Sequence, residues 1–412
     1  MEFIKLQYVY LILMIGGLSS LFLGPKLKDL SKSIAKITII LALLISFYEG
    51  NFEINTNIYE NLTIFCSLIS LFLATKKQNW HYFPLVIMAT IGAMFALHAE
   101  NFIYLILGLE LCSIAIFLIM ALEPMQRSKN SALHYFILSA FITSLIIFCI
   151  SDIYVANKSI AIKQSLSNFN IAVLITGFGF KLGLIPYQAW FLRAYNTSTY
   201  AAISFFSLVP KIIIIKILVT LIPSDFYLNL LFIYGCLSLV VGNFAAISQT
   251  DTRKLLAFSS VGHFGFILIA LGLQNQSVLF YLLIYSLTFL LILCCLQSME
   301  DKNYNIIKFK GLYNENKLLS ILLTAGFLSN AGIPPFIGFW AKFWIFEALF
   351  KADLILIAWV AFIGTIIGIY YTIKIISLIY FGDNINKVKI SFSTYFISLL
   401  FLLTNLAQLW SS

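Results

Sequence analysis

Five ionisable residues lie inside long apolar segments, where charged side chains are rare. They are Glu110, Lys181, Lys211, His263 and Lys342. Carboxylate, amine and imidazole groups take up and release protons, and ionisable residues inside membrane spans mark ion and proton pathways. We therefore expect these five residues to form a proton pathway.

Glu110 and Lys181 are the natural ion pair of this set. Glu110 stands in the sequence GLELCS, near the centre of an apolar span. An isolated carboxylate there would be costly and would tend to take up a proton, whereas a nearby lysine would keep it ionised. We predict a two-state electrostatic element, in which a change at one residue alters the proton affinity of the other. The alternative is a static structural ion pair.

Lys211 and His263 have no acidic residue close by in the sequence. Lys211 follows Pro210 within an apolar span, and desolvation makes a lysine exchange its proton more readily. Snorkelling to the membrane edge is the alternative for Lys211. His263 can share a helix face with Ser259 and Ser260, which suits either a proton relay or a hydrogen-bonded core histidine.

Two apolar segments are interrupted by proline close to a lysine. In GFGFKLGLIPYQAW, Lys181 precedes Pro186 by five residues, and in SNAGIPPFIGFWAK, Lys342 follows Pro335 by seven. Proline removes a helical hydrogen bond, and lipid tolerates the break only where protein or water satisfies the freed backbone groups. Paired breaks in two halves of a chain point to a transport pathway.

Two further lysines lie nearer to span ends. Lys216 precedes the end of its span, and Lys374 stands six residues before the span exit at Phe381–Gly382. Long amphipathic side chains in such positions extend their charge to the interface. We predict that Lys216 and Lys374 snorkel and take no part in the pathway.

The composition predicts an all-α polytopic membrane protein. Of 412 residues, 61% are hydrophobic and 10% are charged, whereas soluble domains carry about 25% charged residues. A spanning helix needs roughly 20 residues, so the chain has room for many helices and for no soluble domain. Fourteen apolar spans are present in the sequence. The predicted spans lie near 8–24, 34–48, 60–74, 82–98, 101–122, 131–150, 170–191, 199–222, 228–247, 254–273, 277–299, 318–349, 355–380 and 391–410.

The loop charges test this count of spans. If the spans alternate in direction, 17 basic loop residues fall on one side and four on the other. The four are Lys5, Lys158, Lys163 and Lys351. The side rich in positive charge faces inward, so both termini are predicted on the outer side. The net charge of +9 is explained by these loops and does not indicate nucleic-acid binding.

Neither the cysteines nor the N-terminus suggests further chemistry. The six cysteines lie in apolar spans without a CxxC pair, so they are predicted to be small buried hydrophobic residues. The first apolar run has no small-residue cleavage site and is interpreted as the first span. We expect no redox centre and no metal site in this chain.

Several motifs, in this order and spacing, resemble the antiporter-like membrane subunits of respiratory complex I. They are GLELCS, SALHYFILSA, FKLGLIPYQAWFLRAY, NFAAISQTDTRKLLAFSSVGHFGF, KGL and AGIPPFIGFWAK. The resemblance covers about residues 75–385 and is strongest to subunit N, called subunit 2 in mitochondria. The position of Lys342 is typically glutamate in the related subunit M, which also favours subunit N.

The resemblance implies one transmembrane domain over 1–412 with two inverted five-helix repeats. Helices 1–3 would occupy 1–80, the repeats 81–222 and 228–380, and helix 14 would occupy 391–412, with helices 7 and 12 broken. The resemblance also implies that Glu110 and Lys181 are the coupling pair, that Lys211 is the central relay and that Lys342 closes the pathway.

The resemblance further implies a proton-translocating subunit of NADH:quinone oxidoreductase in a bacterial or mitochondrial inner membrane. Subunit M and the small K-type subunit would be partners, and NAD, FMN, iron–sulfur clusters and quinone would be bound by partner subunits. A subunit of an Mrp-type cation/proton antiporter and a non-pumping structural subunit are the alternatives. Two positions depart from the family pattern. The family usually has histidine at the position of Gln188, and it usually has an acidic residue near the positions of Arg193 and Ala194.

Overall fold

A computed structural model of the protein describes a chain built of α-helices. It covers residues 2–48, 54–75, 78–123, 126–221, 223–275, 277–299, 304–381 and 392–411. Within these ranges the only β-type pairings are two isolated bridges, Asn101–Ala161 and Asp251–Asn305. The predicted all-α fold is confirmed.

The described residues form seventeen α-helices. In chain order they are α1 (Glu2–Leu23), α2 (Lys28–Tyr48), α3 (Ile54–Leu73), α4 (Tyr82–Leu97), α5 (Phe102–Ala121), α6 (Gln126–Asn157), α7 (Asn168–Leu182), α8 (Ala189–Thr197), α9 (Tyr200–Thr220), α10 (Asp225–Ile247), α11 (Thr252–Gly272), α12 (Ser277–Ser298), α13 (Leu312–Glu315), α14 (Lys317–Ala331), α15 (Ile337–Lys351), α16 (Ile355–Tyr380) and α17 (Phe392–Ser411).

The helices have the length and composition of a multi-pass membrane protein. Eight of those described are long and apolar enough to cross a membrane, and six further apolar helices have 10–17 residues. The count of fourteen spans and the orientation of the termini stay predictions. The charged loop residues 76–77, 302 and 387–389 lie outside the described residues.

Both predicted helix breaks are confirmed. The first break separates α7 from α8 and contains the cis bond Ile185–Pro186, and the second separates α14 from α15 and contains the cis bond Pro334–Pro335. Each break opens with a glycine in the left-handed conformation, Gly183 with φ +73° and Gly332 with φ +81°. Glycine adopts this conformation without a Cβ clash and so ends the first half-helix.

The chain divides into two compact units. The first unit is Met1–Leu182 with Thr197–Pro223, and the second is Gly183–Asn196 with Ser224–Ser412. The first break therefore falls where the chain leaves the first unit, and most of α8 belongs to the second. The assignment of the predicted repeats to 81–222 and 228–380 stays a prediction.

In the first unit, a close approach of α4 and α5 positions Glu110. A Cβ atom on Gly108 would lie 2.5 Å from the backbone nitrogen of Ala96 and 2.6 Å from the carbonyl oxygen of Gly92. Small residues allow helix backbones to approach this closely in membranes. Because Glu110 follows Gly108 by two residues, this contact sets the direction of its side chain.

In the second unit, α10 and α11 meet in the same manner. A Cβ atom on Gly265 would lie 2.7 Å from the carbonyl oxygen of Gly235, and one on Gly242 would lie 2.8 Å from the backbone nitrogen of Gly262. His263 stands between the two glycines of α11. The backbone contact therefore holds this histidine at a defined rotation of its helix.

Candidate functional site

The first cluster lies in the first unit and comprises Glu110, Ser113, Ser139, Thr143 and Lys181. Lys181 Nζ is 3.1 Å from Glu110 Oε1, 3.0 Å from Ser113 Oγ and 3.4 Å from Ser139 Oγ. An ammonium group has three N–H donors, and these three oxygens accept all of them. Lys181 is therefore fully hydrogen-bonded in a site where only 6% of its surface is exposed.

Thr143 gives the first cluster two alternative arrangements. Its hydroxyl oxygen is 2.5 Å from Glu110 Oε1 and 2.9 Å from the carbonyl oxygen of Ser139. A hydroxyl carries one hydrogen, so Thr143 donates to one of these acceptors at a time. The Glu110 side chain is 29% exposed, whereas that of Lys181 is 5% exposed. The carboxylate thus stands at the open side of the cluster and the ammonium at its closed side.

Lys211 lies on α9 in the first unit and is completely buried. Ser207 precedes it by one helical turn on the same face, and the Ser207 hydroxyl has no hydrogen-bond partner among the described residues. Pro210 lies inside the helix and cannot donate a backbone hydrogen bond. The burial rules out the snorkelling alternative for Lys211, while its place in the pathway stays a prediction.

The second cluster lies in the second unit and comprises Ser260, His263, Tyr281, Tyr285 and Lys342. His263 Nδ1 is 2.8 Å from Tyr281 Oη, and the imidazole lies against the Tyr285 ring with 4.8 Å between centroids. The Tyr285 hydroxyl donates to Ser260 Oγ at 2.7 Å. The imidazole is therefore bonded to a tyrosine of α12 rather than to a serine of its own helix.

Lys342 is held by the end of the neighbouring half-helix. Its Nζ donates to the carbonyl oxygen of Ala331, the last residue of α14, at 2.7 Å. The ammonium also lies 5.2 Å from the centroid of the Phe266 ring, within the range of a cation–π contact. Lys342 and His263 line one small cavity, and Asn330 adds an amide oxygen that has no partner among the described residues.

The two lysines predicted to snorkel differ in their surroundings. Lys374 is exposed on α16, as predicted. Lys216 is partly buried, and its Nζ donates to the carbonyl oxygen of Leu97 at the C-terminal end of α4. A cation is favourable there because the last carbonyl groups of a helix lack intrahelical partners. Lys216 therefore has a defined partner.

The remaining candidate positions show little further chemistry. Gln188 has a buried Oε1 atom without a hydrogen-bond partner among the described residues, and Arg193 is exposed. All six cysteines are free; five are buried, as predicted, whereas Cys236 is partly exposed. Among the described residues, no group of three or more His, Cys, Asp or Glu side chains could hold a metal ion.

Sequence reasoning missed five polar residues of the two clusters. One of them, Ser113, follows Glu110 by three residues on α5. Ser139 and Thr143 are four residues apart on α6, and Tyr281 and Tyr285 are four residues apart on α12. Residues at this spacing share a helix face. A pair of polar residues on one face of an otherwise apolar span was the sequence feature that could have identified these four as site residues.

Comparison with known proteins agrees with this architecture. Residues 99–368 match the family model described as NADH:quinone oxidoreductase/Mrp antiporter, TM. The NADH-quinone oxidoreductase subunit N of Pelagibacter ubique is 31% identical over 336 residues, which are 76% of this chain and 70% of that protein.

Two solved structures share the fold. A chain of respiratory complex I from Thermus thermophilus superposes with a TM-score of 0.86 at 22% identity, covering 97% of both chains. A chain of the Mrp complex from Dietzia sp. DQ12-45-1b superposes with a TM-score of 0.82 at 19% identity, covering 92% of this chain and 80% of that one.

Proposed function

The chain belongs to the NADH:quinone oxidoreductase/Mrp antiporter membrane family, and from this premise we propose that it is a proton-translocating membrane subunit of an NADH–quinone oxidoreductase. The observation that carries the proposal is the Glu110–Lys181 pair, in which a buried lysine retains two hydroxyl partners besides the carboxylate. Such a pair can open without leaving the ammonium unsolvated.

Opening this pair changes the electrostatic free energy of the Lys181 ammonium group. Two unit charges at about 4 Å interact by roughly 4 kcal/mol at an effective dielectric constant near 20. A change of that size shifts an equilibrium constant by about a thousandfold. Movement of Glu110 toward or away from Lys181 therefore changes the electrostatic free energy of the buried ammonium by this amount, and Thr143 can hold the carboxylate in the paired position.

Lys342 and His263 serve as the proton-exchange groups of the second unit. Lys342 is stabilised as a cation by the carbonyl oxygen at the C-terminal end of α14, where the helix carries partial negative charge. Because both residues line one cavity, a proton can pass between the amine and the imidazole within it. We propose Lys211 as the central relay of the pathway.

The exposure of Glu110 supports a partner subunit beside the first cluster. A carboxylate near the middle of a span is not left facing lipid. We propose that a neighbouring membrane subunit of the K type covers Glu110 and that subunit M is the other neighbour. NAD, FMN, iron–sulfur clusters and quinone would be bound by partner subunits, whose redox chemistry would drive the movement of charge in this chain.

An Mrp-type cation/proton antiporter subunit is the second candidate. The family model covers both classes, and the fold matches a chain of the Dietzia Mrp complex. Purification of the native assembly separates the two, because only the oxidoreductase would contain flavin and iron–sulfur proteins. A non-pumping structural subunit is disfavoured because buried charges are costly to retain without use.

The test of the proposed function is the double variant Glu110→Gln with Lys342→Ala. NADH-driven proton uptake and quinone reduction are measured in membrane vesicles and divided by the amount of assembled complex. Both rates should fall together, because the coupling pair and the amine of the second cluster are lost. The exposed Lys374→Ala variant is the matched control and should keep its activity. Full pumping by the assembled double variant would contradict the proposal.

The proposed location is an energy-transducing inner membrane with both termini on its outer side. Single cysteines introduced beside Lys310 and beside Lys158 should label from opposite sides of sealed vesicles, because the charge asymmetry places these loops on opposite faces. Labelling of both from one side would refute the predicted topology.

A further inference from the structure

A second buried acid–base pair lies in the first unit, away from the first cluster. Glu60 on α3 and His98, which follows α4, approach with 3.6 Å between Oε2 and Nε2. The Glu60 side chain is 5% exposed and that of His98 is 27% exposed. His98 Nδ1 is 3.0 Å from the carbonyl oxygen of Met94, which fixes the orientation of the ring. The pair thus joins a buried carboxylate to a partly exposed imidazole.

Glu60 retains an unused acceptor. Its Oε1 atom is buried and has no hydrogen-bond partner among the described residues. A buried carboxylate oxygen without a partner is costly in a purely structural ion pair. If the carboxyl group takes up a proton at this atom, the free energy cost of a buried ionised oxygen applies only while the group is deprotonated. The arrangement therefore suits a residue that is protonated and deprotonated in turn.

Buried hydroxyl groups continue from Glu60 into the unit. Thr63, Ser67 and Ser70 follow on α3 at helical spacing and are all fully buried. Thr90 of α4 donates to Ser67 Oγ at 2.9 Å, so these hydroxyls lie between the two helices. Helix α9, which carries Lys211, packs against both α3 and α4. A polar seam thus runs from Glu60 along the helices that contact α9.

Other titratable groups stand near the same end of the unit. Tyr10 of α1 lies within electrostatic reach of Glu60, and Lys163 lies within reach of Lys216. The Lys216 ammonium is bonded to the carbonyl oxygen of Leu97, the residue next to His98. Lys216 follows Lys211 by five residues, an axial rise of about 7.5 Å.

We propose that Glu60 and His98 form the proton-release site of the first unit. In this step Lys211 loses an N–H bond and the free Glu60 oxygen gains an O–H bond, with water carrying the proton between them. His98 then passes one proton from Nε2 to water at the surface and regains one from Glu60. One proton enters and one leaves, and both groups return to their starting state. The inference rests on the proposed function.

The fixed charge of Lys216 gives the release its direction. With one shared proton the Glu60–His98 pair is neutral overall, whether as carboxylate with imidazolium or as carboxyl with imidazole. A second proton makes the pair positive beside the Lys216 ammonium, and like charges in a medium of low polarity repel. Because His98 is the exposed member, the extra proton leaves through it.

The experiment uses the intact complex in native membrane vesicles. Glu60→Gln keeps the size and hydrogen-bonding capacity of the side chain but cannot titrate, and Glu60→Asp keeps the carboxyl group. The matched control is Glu100→Gln, because Glu100 is an exposed carboxylate two residues after His98. NADH-driven proton uptake is measured per assembled complex, together with quinone reduction.

We expect Glu60→Gln to lower proton uptake about tenfold or more, as expected for loss of an acid–base group. Glu60→Asp should restore most of the rate, and Glu100→Gln should leave it unchanged. Full uptake by Glu60→Gln, or an equal loss in Glu100→Gln, would overturn the proposal. If Glu110→Gln lowers uptake while Glu60→Gln does not, only the release site is refuted. If neither variant changes uptake, the proposed function fails as well.

Discussion

A buried lysine lies close to each helix break, and the two lysines have different electrostatic partners. Lys181 precedes the first break and is paired with a carboxylate at 3.1 Å. Lys342 follows the second break and donates to a backbone carbonyl oxygen, at the end of α14, at 2.7 Å. One ammonium is balanced by the full charge of a partly exposed side chain, and the other by the partial charge of a helix end.

This difference indicates a division of roles between the two lysines. An interaction with a mobile carboxylate can be switched by an external signal, so Lys181 suits the coupling step. A fixed carbonyl group holds Lys342 in one position beside the His263 cavity, so we expect Lys342 to take part in proton exchange within that cavity.

Substitution of each lysine by arginine should give the largest difference in pumping rate between the two sites. Arginine keeps its proton in proteins, so Lys342→Arg should lower pumping roughly a hundredfold through loss of a proton-exchange group. Lys181→Arg keeps a cation beside Glu110 and should lower pumping roughly tenfold or less. Proton uptake per assembled complex measures both. Equal losses in the two variants would refute the division of roles.

Replacement of each break glycine by alanine should also lower pumping more at the second break than at the first, but by a smaller margin. Both sites have positive φ, so both variants carry strain of about 1–2 kcal/mol. A Cβ atom at Gly332 would also lie 2.7 Å from Lys342 Cδ, whereas one at Gly183 would meet the ring of Phe191 at 3.0 Å. Gly332→Ala should therefore lower pumping roughly tenfold more than Gly183→Ala by displacing the amine.

Thermal unfolding of the purified complex is the control for this pair of variants. Similar midpoints with different pumping rates would show that displacement of Lys342 acts beyond the shared backbone strain. Equal pumping by the two alanine variants would show that the position of Lys342 is not critical.

Removal of the tyrosine hydroxyl beside His263 should lower the pumping rate moderately. Tyr281→Phe deletes the hydrogen bond to Nδ1 and, at about 1 kcal/mol, should lower pumping roughly fivefold. Tyr285→Phe keeps the ring contact and should lower it less. The ratio of the two pumping rates is the measurement, and a larger loss in Tyr285→Phe would assign the relay to Ser260 instead.

The smallest effect is expected at Thr143. Thr143→Val removes the hydroxyl that donates to Glu110 and should lower pumping about twofold to fivefold, because Lys181 still pairs with the carboxylate. Thr143→Ser should restore the rate. If Thr143→Val exceeds Glu110→Gln in its effect on uptake, the hydroxyl rather than the ion pair would be the switch.

Much of the fold could be predicted from the sequence because lipid restricts the backbone strongly. Apolar runs in a membrane must form helices, and proline favours a break where the freed backbone groups find partners, so the helices and both breaks were predictable. Proline alone does not decide a break, because Pro210 lies inside α9 without ending it. The same argument identified Lys211 as buried, since a lysine in the middle of a span has no short path to water. Lys216 was less predictable, because its partner is the end of a distant helix.

The sequence by itself determined which residues are costly to bury and where the helices break, since both follow from local composition and the cost of desolvation. Only the tertiary structure decided which groups meet. The contact of Lys181 with Ser139, of His263 with Tyr281 and of Glu60 with His98 each joins two helices. Such contacts depend on how each helix is rotated about its axis. Backbone approach at glycines sets that rotation for α4 with α5 and for α10 with α11, and packing against neighbouring helices sets it for the others, so no local pattern contains it.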